Sequence, residues 1–335
     1  TAYFFARQTL FPAAGLCYNE DKRTKAASTR MRAEAKMDLG IDIGGTDIKF
    51  GMVDTANRII ARAAVPTPKA SAEAVADAAA AGAKQLLTAH PAETVGVGTP
   101  GIVTPDGRVS AANLPFADTP LADLIASRIG HAVALGNDAN CAALGEAAVS
   151  GADDLLLVTL GTGVGGGIVS GGKLIVGAHG GAGEIGHMCL HAGGRACPCG
   201  KRGCFEQYAS ASALTAAAKA AADAHPDSLL AAYAKGGMDG RVFFRAIADG
   251  CPAAKAVLDA YLCDLAAGLE SLRSIFDPAV IVLAGGITEA GDALLAPLVQ
   301  KLGDAFPLKL SALRSDAGVI GAAVLGREAG AKHAD

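Results

Sequence analysis

The chain has 335 residues, 51% of them hydrophobic and 19% charged, which is apolar material enough for two packed domains. Trp is absent and aromatic residues make up 4%, so base-stacking platforms are not expected, and a formal charge of −4 argues against a non-specific polyanion binder. No run approaches the roughly 20 apolar residues that span a bilayer, so neither nucleic acid nor membrane is an expected partner.

Residues 1–36 differ from the rest of the chain. They carry a net charge of +4, whereas residues 37–335 carry −8. No signal-peptide core follows the basic start, and Met37 stands just before a clean strand over Asp38–Ile43. Met37 is therefore expected to be the natural start, with residues 1–36 a disordered or non-native extension. That stretch is too short for a winged helix-turn-helix domain.

Leu39–Asp54 reads as two strands joined by a Gly-Gly-Thr turn, and Arg58–Pro66 as a third strand. The turn is a candidate phosphate loop. Bare N–H groups at Gly44 and Gly45 can approach phosphate oxygens, and Thr46 adds a hydroxyl. Asp42 would hold Mg²⁺ through water, and Lys49 would offset charge. Taken alone, the motif is equally an ordinary hairpin. Ala70–Ala89 is Ala-rich and reads as a helix, and Thr94–Gly98 as a short strand. Asn113, just before Leu114-Pro115, offers an amide to a polar pocket or is a turn residue.

Ala132–Leu135 reads as a strand and Ala139–Val149 as a helix, capped by Asn137 or Asp138. A carboxylate at such a junction can take a proton from a hydroxyl that attacks phosphorus. The helix N-terminus is expected to keep Asp138 ionised. Leu155–Leu160, a glycine-dense turn at Gly161–Thr162–Gly163, Val164–Val169 and Lys173–Val176 then repeat the plan of the first hairpin. The repeat suggests a duplicated unit, with both turns facing one cleft.

Eight cysteines are present, three of them crowded into Cys197, Cys199 and Cys204. With His187 they form a His-x9-Cys-x-Cys-x4-Cys set, which matches a closed, structural Zn²⁺ site. Glu184 and Glu206 flank that set, and a metal that drew the loops together would fix both carboxylates as acceptors for vicinal hydroxyls. Helices are expected over Ser212–Ala224, Asp227–Lys235, Gly240–Gly250 and Ala253–Ile275. A buried strand follows at Val280–Ala284, then Gly285-Gly286, a helix from Ala290 to Gly303 and a last helix over Asp316–Gly330. The small residues at Gly285, Gly286 and 316–323 would admit an adenine or serve close helix–strand packing.

Asp42-Ile-Gly-Gly-Thr46, Gly-Val-Gly-Thr-Pro-Gly101, Asn137-Asp138, the stretch from Leu160 to His187 and Cys-Pro-Cys-Gly-Lys-Arg-Gly-Cys-Phe-Glu206 together resemble the ROK family of sugar kinases and regulators. The resemblance runs from about Leu39 to Gly326. It implies an α/β fold of the actin-like, hexokinase-like class, with duplicated ribonuclease H-type domains around an interdomain cleft. A small domain would comprise residues 37–116 with 316–335, and a large one residues 117–315 with the zinc loop. It implies ATP-dependent phosphorylation of a hexose, glucose first, at the 6-hydroxyl, with Mg²⁺ accompanying ATP. Asp138 would be the base, while Asn113, Asn137, Glu184, His187 and Glu206 would contact the sugar, His187 serving zinc as well. Cytoplasmic dimers or tetramers are the expected form. Two departures from the family pattern stand out, Phe116-Ala117 where many relatives carry Gly-Trp, and the acidic Asp47. An N-acetylmannosamine or N-acetylglucosamine kinase and a sugar-sensing regulator without catalysis are the alternatives.

Overall fold

The computed structural model describes residues 36–332, and the extension expected over residues 1–36 lies outside them but for Lys36. Met37–Ile43 (β1), buried along nearly its whole length, is the first element among the described residues. Asp47–Asp54 (β2) and Ile59–Pro66 (β3) follow, β3 alternating between half-buried and exposed as an edge strand should. The first described helix, Ala72–Ala89 (α1), starts two residues later than expected because the Ser71 side chain caps it, accepting from the Ala74 N–H. Thr94–Thr99 (β4) is the next strand.

Residues 102–129 were not anticipated as ordered elements. They form Ile102–Val103 (β5), Val109–Ala111 (β6), Phe116–Thr119 (β7) and the helix Leu121–Ile129 (α2). Strands of two to four residues are too short to show a period. Val133–Asn137 (β8) then leads into Asp138–Ser150 (α3). Leu155–Leu160 (β9), Val164–Ser170 (β10) and Lys173–Leu174 (β11) follow, then the single turn Glu206–Ala209 (α4). The helices Ala211–Ala224 (α5), Leu229–Ala234 (α6), Gly240–Ala248 (α7) and Pro252–Phe276 (α8) make the expected helical run. Val280–Ala284 (β12), Asp292–Leu302 (α9), Leu308–Leu310 (β13) and Ala317–Lys332 (α10) complete the described chain.

The two main sheets have one topology. The first runs β3-β2-β1-β4-β8 and the second β11-β10-β9-β12-β13. In each, the first three strands pair antiparallel and the last two join in parallel. The duplication expected from the two glycine turns is therefore real. The first sheet takes its fifth strand from residues 133–137, past the limit expected at residue 116. The reason is parallel pairing of β8 with β4, in register from Val95–Val133 to Thr99–Asn137.

One core lies around the first sheet, α1 and α2, and another beneath the second sheet with α5, α7 and α8. The last helix packs against α3 and the first sheet at very short range. A Cβ at Gly321 would fall 1.5 Å from the Cys141 carbonyl oxygen, and one at Gly40 would fall 1.9 Å from that of Val319. The small residues of 316–323 thus serve helix packing, and the adenine role considered for them is set aside. Arg327 locks the same helix to β1, donating to the buried Asp38 carboxylate at 2.7 Å and to Asn57 Oδ1 at 3.1 Å.

Candidate active site

Asp42 is the next-to-last residue of β1 and faces Lys49 across the hairpin, while Asp138 opens α3. Asn137 is the cap. Its Oδ1 accepts from the Asn140 N–H at 3.1 Å, and its Nδ2 donates to the Gly101 carbonyl at 3.0 Å. The Asp42 carboxyl is pushed up to about 6, first by burial and then by the charge of Asp138, against a downward pull from Lys49. Burial also raises the Asp138 carboxyl, although the Ala139 N–H donates to it at 2.9 Å and Asn137 adds a bond. Asp138, expected to stay ionised at the helix N-terminus, is thus raised from its ordinary value, because burial outweighs those hydrogen bonds. A carboxylate with raised proton affinity is better suited to accept a proton.

The strand β10 joins these groups to the metal loop. A Cβ at Gly167 would lie 2.7 Å from the Ala139 carbonyl oxygen, and one at Gly166 2.8 Å from that of Gly183. Those glycines let the start of α3 and the segment leading to Glu184 press on opposite sides of one strand. Glu206 reaches the second glycine turn, where its Oε2 accepts from the Val164 N–H at 3.1 Å. Glu184 Oε2 lies 3.9 Å from His187 Nε2.

The other ring nitrogen of His187, Nδ1, lies 3.7 Å from Cys197 Sγ, and Cys199 Sγ lies 3.6 Å from Cys204 Sγ. All four ligand atoms fall within 4.8 Å of one another. A tetrahedral ion with metal–sulfur bonds of about 2.3 Å and a metal–nitrogen bond of about 2.0 Å sets separations of about 3.8 and 3.5 Å. The donor set therefore fits such an ion. Burial, then the neighbouring thiols of Cys199 and Cys197, push the Cys204 thiol up to about 12. The histidine is placed to act in two directions, Nδ1 toward the thiols and Nε2 toward Glu184.

The second turn lines an opening. A cavity of about 1420 Å³ is lined by Gly161, Thr162 and Gly286, three of the residues expected to meet ATP. It is also lined by Ser212, Thr215, Met238, Arg241, Phe244 and Glu289, which sequence reasoning missed. Nothing in their spacing marks them, since they come together only when α5, α7 and residues 286–290 surround one space. Gly285 sits at the edge, with φ +97°, where a Cβ would fall 2.4 Å from the Leu160 carbonyl oxygen.

Asn113 stands exposed on the turn between β6 and β7, and no hydrogen bond among the described residues draws it to Glu184, His187 or Glu206. Phe116 is buried in the first core, so its ring is a packing group. Asp47 is exposed. Among the described residues, no helix is long and apolar enough to cross a membrane.

A model of the ROK family matches residues 38–329. The chain is 37% identical over 313 residues to a glucokinase of Streptomyces coelicolor, covering 87% of this chain and 97% of that enzyme. It is 34% identical over 292 residues to an N-acetyl-D-glucosamine kinase of Shigella flexneri, covering 82% of this chain and 90% of that one. Among solved structures, a ROK family glucokinase from Streptomyces griseus, in complex with glucose and AMPPNP, matches with a TM-score of 0.75 at 36% identity. That match covers 87% of this chain and 99% of that one.

Proposed function

The chain belongs to the ROK family, and on that premise we propose that it transfers the γ-phosphoryl group of Mg·ATP to the 6-hydroxyl of glucose, with Asp138 as general base. The fold is the actin-like, hexokinase-like one of ROK sugar kinases, with ribonuclease H-type units duplicated around a cleft. The chain is an ATP-dependent sugar kinase. The observation that carries the assignment of the base is the position of Asp138, half-buried at the start of α3, beside Asp42 and below β10.

Glu184, Glu206 and His187 Nε2 would orient the sugar from the metal-loop side, with Asn137 and Asn113 adding amides. Asp138 takes the proton of the attacking hydroxyl. The N–H groups of the two glycine turns stabilise charge on the transferring group, and Lys49 holds Asp42 toward its ionised form. Mg²⁺, held through Asp42, neutralises phosphate charge when bound. Zn²⁺ on His187, Cys197, Cys199 and Cys204 would leave no open coordination position, so its part is to brace the loop that carries Glu184 and Glu206. Two lobes closing over the substrates would exclude water, and a cytoplasmic homodimer or homotetramer is the expected form.

The likeness to an N-acetyl-D-glucosamine kinase gives the second reading, the same chemistry on an amino sugar. An ADP-release assay with Mg·ATP against glucose, mannose, fructose, allose, N-acetylglucosamine and N-acetylmannosamine separates the two. Turnover highest on glucose supports the proposal, and turnover highest on an N-acetylhexosamine replaces it with the second reading. No turnover on any sugar, with sugar binding still measurable, would favour a sensor.

A further inference from the structure

A glycine turn binds phosphate only if its N–H groups face the ligand. In a trans peptide the carbonyl of one residue and the N–H of the next point in opposite directions, and no cis peptide is present among the described residues. Whatever holds the carbonyls of the first turn therefore aims its N–H groups. The Gly44 carbonyl accepts from Thr67 Oγ1 at 2.7 Å. The Gly45 carbonyl accepts from the Lys69 ammonium. The Thr46 carbonyl accepts from the Thr67 N–H at 2.8 Å. Three successive carbonyls are thus tied to one segment, residues 67–69, just past the end of β3. On the opposite side, the Gly45 and Thr46 N–H groups have no partner among the described residues, and the space where a Gly45 Cβ would stand is open to 4 Å. Thr67 is buried and Lys69 exposed, so the threonine hydroxyl is the sheltered half of the latch.

We propose that Thr67 and Lys69 are positioning residues for phosphoryl transfer, holding the peptide planes of the first turn so that the Gly45 and Thr46 N–H groups face the transferring phosphate. The inference rests on the kinase reading above. Neither residue need touch the substrate. Loss of the Thr67 hydroxyl frees the Gly44–Gly45 peptide to rotate, and the N–H it presents is misaimed when charge develops.

The test is steady-state kinetics with Mg·ATP and glucose for wild type, Thr67→Val and Thr67→Ser, with melting temperatures alongside. Valine keeps the shape and removes the donor. The expected result is a kcat lowered about 10-fold or more, a glucose KM within about twofold of wild type, an unchanged melting temperature, and recovery of most of the kcat in Thr67→Ser. A Thr67→Val kcat within about twofold of wild type would overturn the inference. So would a loss shared by kcat and glucose KM that serine does not restore, since that marks a merely structural role. Should Thr67→Val not fold, the exposed Lys69→Met variant decides, the same kcat–KM split supporting the latch and a wild-type kcat overturning it. An inactive wild type would strike the kinase reading itself, an outcome distinct from both.

Discussion

The two glycine turns occupy equivalent places in two sheets of identical topology, yet they are held by different means. In the first, two side chains from a segment about 23 residues away tie carbonyls, Thr67 that of Gly44 and Lys69 that of Gly45, beside the main-chain Thr67 N–H on that of Thr46. In the second, a main-chain group does so, the Ala211 N–H donating to the Gly161 carbonyl at 2.9 Å. The Val164 N–H beside it belongs to Glu206. The first turn is thus held in part by side chains, which a single substitution can loosen. The second is wired into its surroundings, to the cavity through the start of α5 and to the proposed sugar site through Glu206. A duplicated scaffold need not duplicate its fastenings, and on the proposed function the difference would give aiming to one turn and coupling of nucleotide to sugar to the other.

The largest test lies between the turns. Asp138→Asn should lower kcat by about 10³-fold or more while glucose still binds. Wild-type-like turnover would remove the base from the account.

Next comes a direct contrast of the turns. A Cβ at Gly163 would fall 2.2 Å from Glu206 Oε2, whereas one at Gly45 meets nothing within 4 Å. Gly163→Ala should displace Glu206 from the Val164 N–H and lower kcat/KM for glucose about 10-fold or more. Gly45→Ala should leave folding stability within about 0.5 kcal/mol of wild type, so that any loss of activity reports close approach of the phosphate. Equal glucose KM values in the two variants would break the claim that the second turn alone is wired to the sugar.

A smaller effect is expected at the metal loop. Cys199→Ser should lower bound zinc, measured by elemental analysis, and raise the glucose KM several-fold with a lesser change in kcat. Unchanged metal content and KM would contradict the bracing role.

The smallest effect is on stability. Asp42 carries its proton more tightly when folded, with its carboxyl near 6 against an ordinary 3.8. The folded state therefore loses stability from this group as pH rises from about 4 to about 6, and the full penalty stands above that window. Asp42→Asn should raise the melting temperature of the ligand-free protein by about 2 °C or more at pH 7.5 and give no gain at pH 4, even as activity falls. The kcat/KM of the wild type should decline below about pH 6 as Asp42 takes up its proton. A lowered melting temperature at pH 7.5 would show that the Asp42 charge is better accommodated than its burial implies.

Much of this was legible in the sequence because the chemistry is local. Three cysteines within eight residues, a glycine turn repeated after equivalent strands, and Asn137-Asp138 at a strand–helix junction each announce themselves in a short window. The order of β5, β6 and β7 was not, since strands of two to four residues leave no period to read. Other walls of the cavity at the second turn, such as Thr215 and Phe244, were hidden because they gather from separate helices. Thr67 and Lys69 were hidden for a related reason. Nothing about a threonine and a lysine after a strand shows that three carbonyls from an earlier turn will meet them. At Asp138 the pull of the helix N-terminus was legible in the sequence, while the opposing effect of burial was not, because distant elements set it.

The most direct test of the central claim is the position of the phosphate on the product. Purified protein would be incubated with Mg·ATP and glucose, and the phosphorylated sugar identified by phosphorus and carbon NMR. The account predicts glucose 6-phosphate formed with one ADP per sugar. A phosphate on another hydroxyl, or ATP hydrolysis with glucose left unchanged, would contradict it.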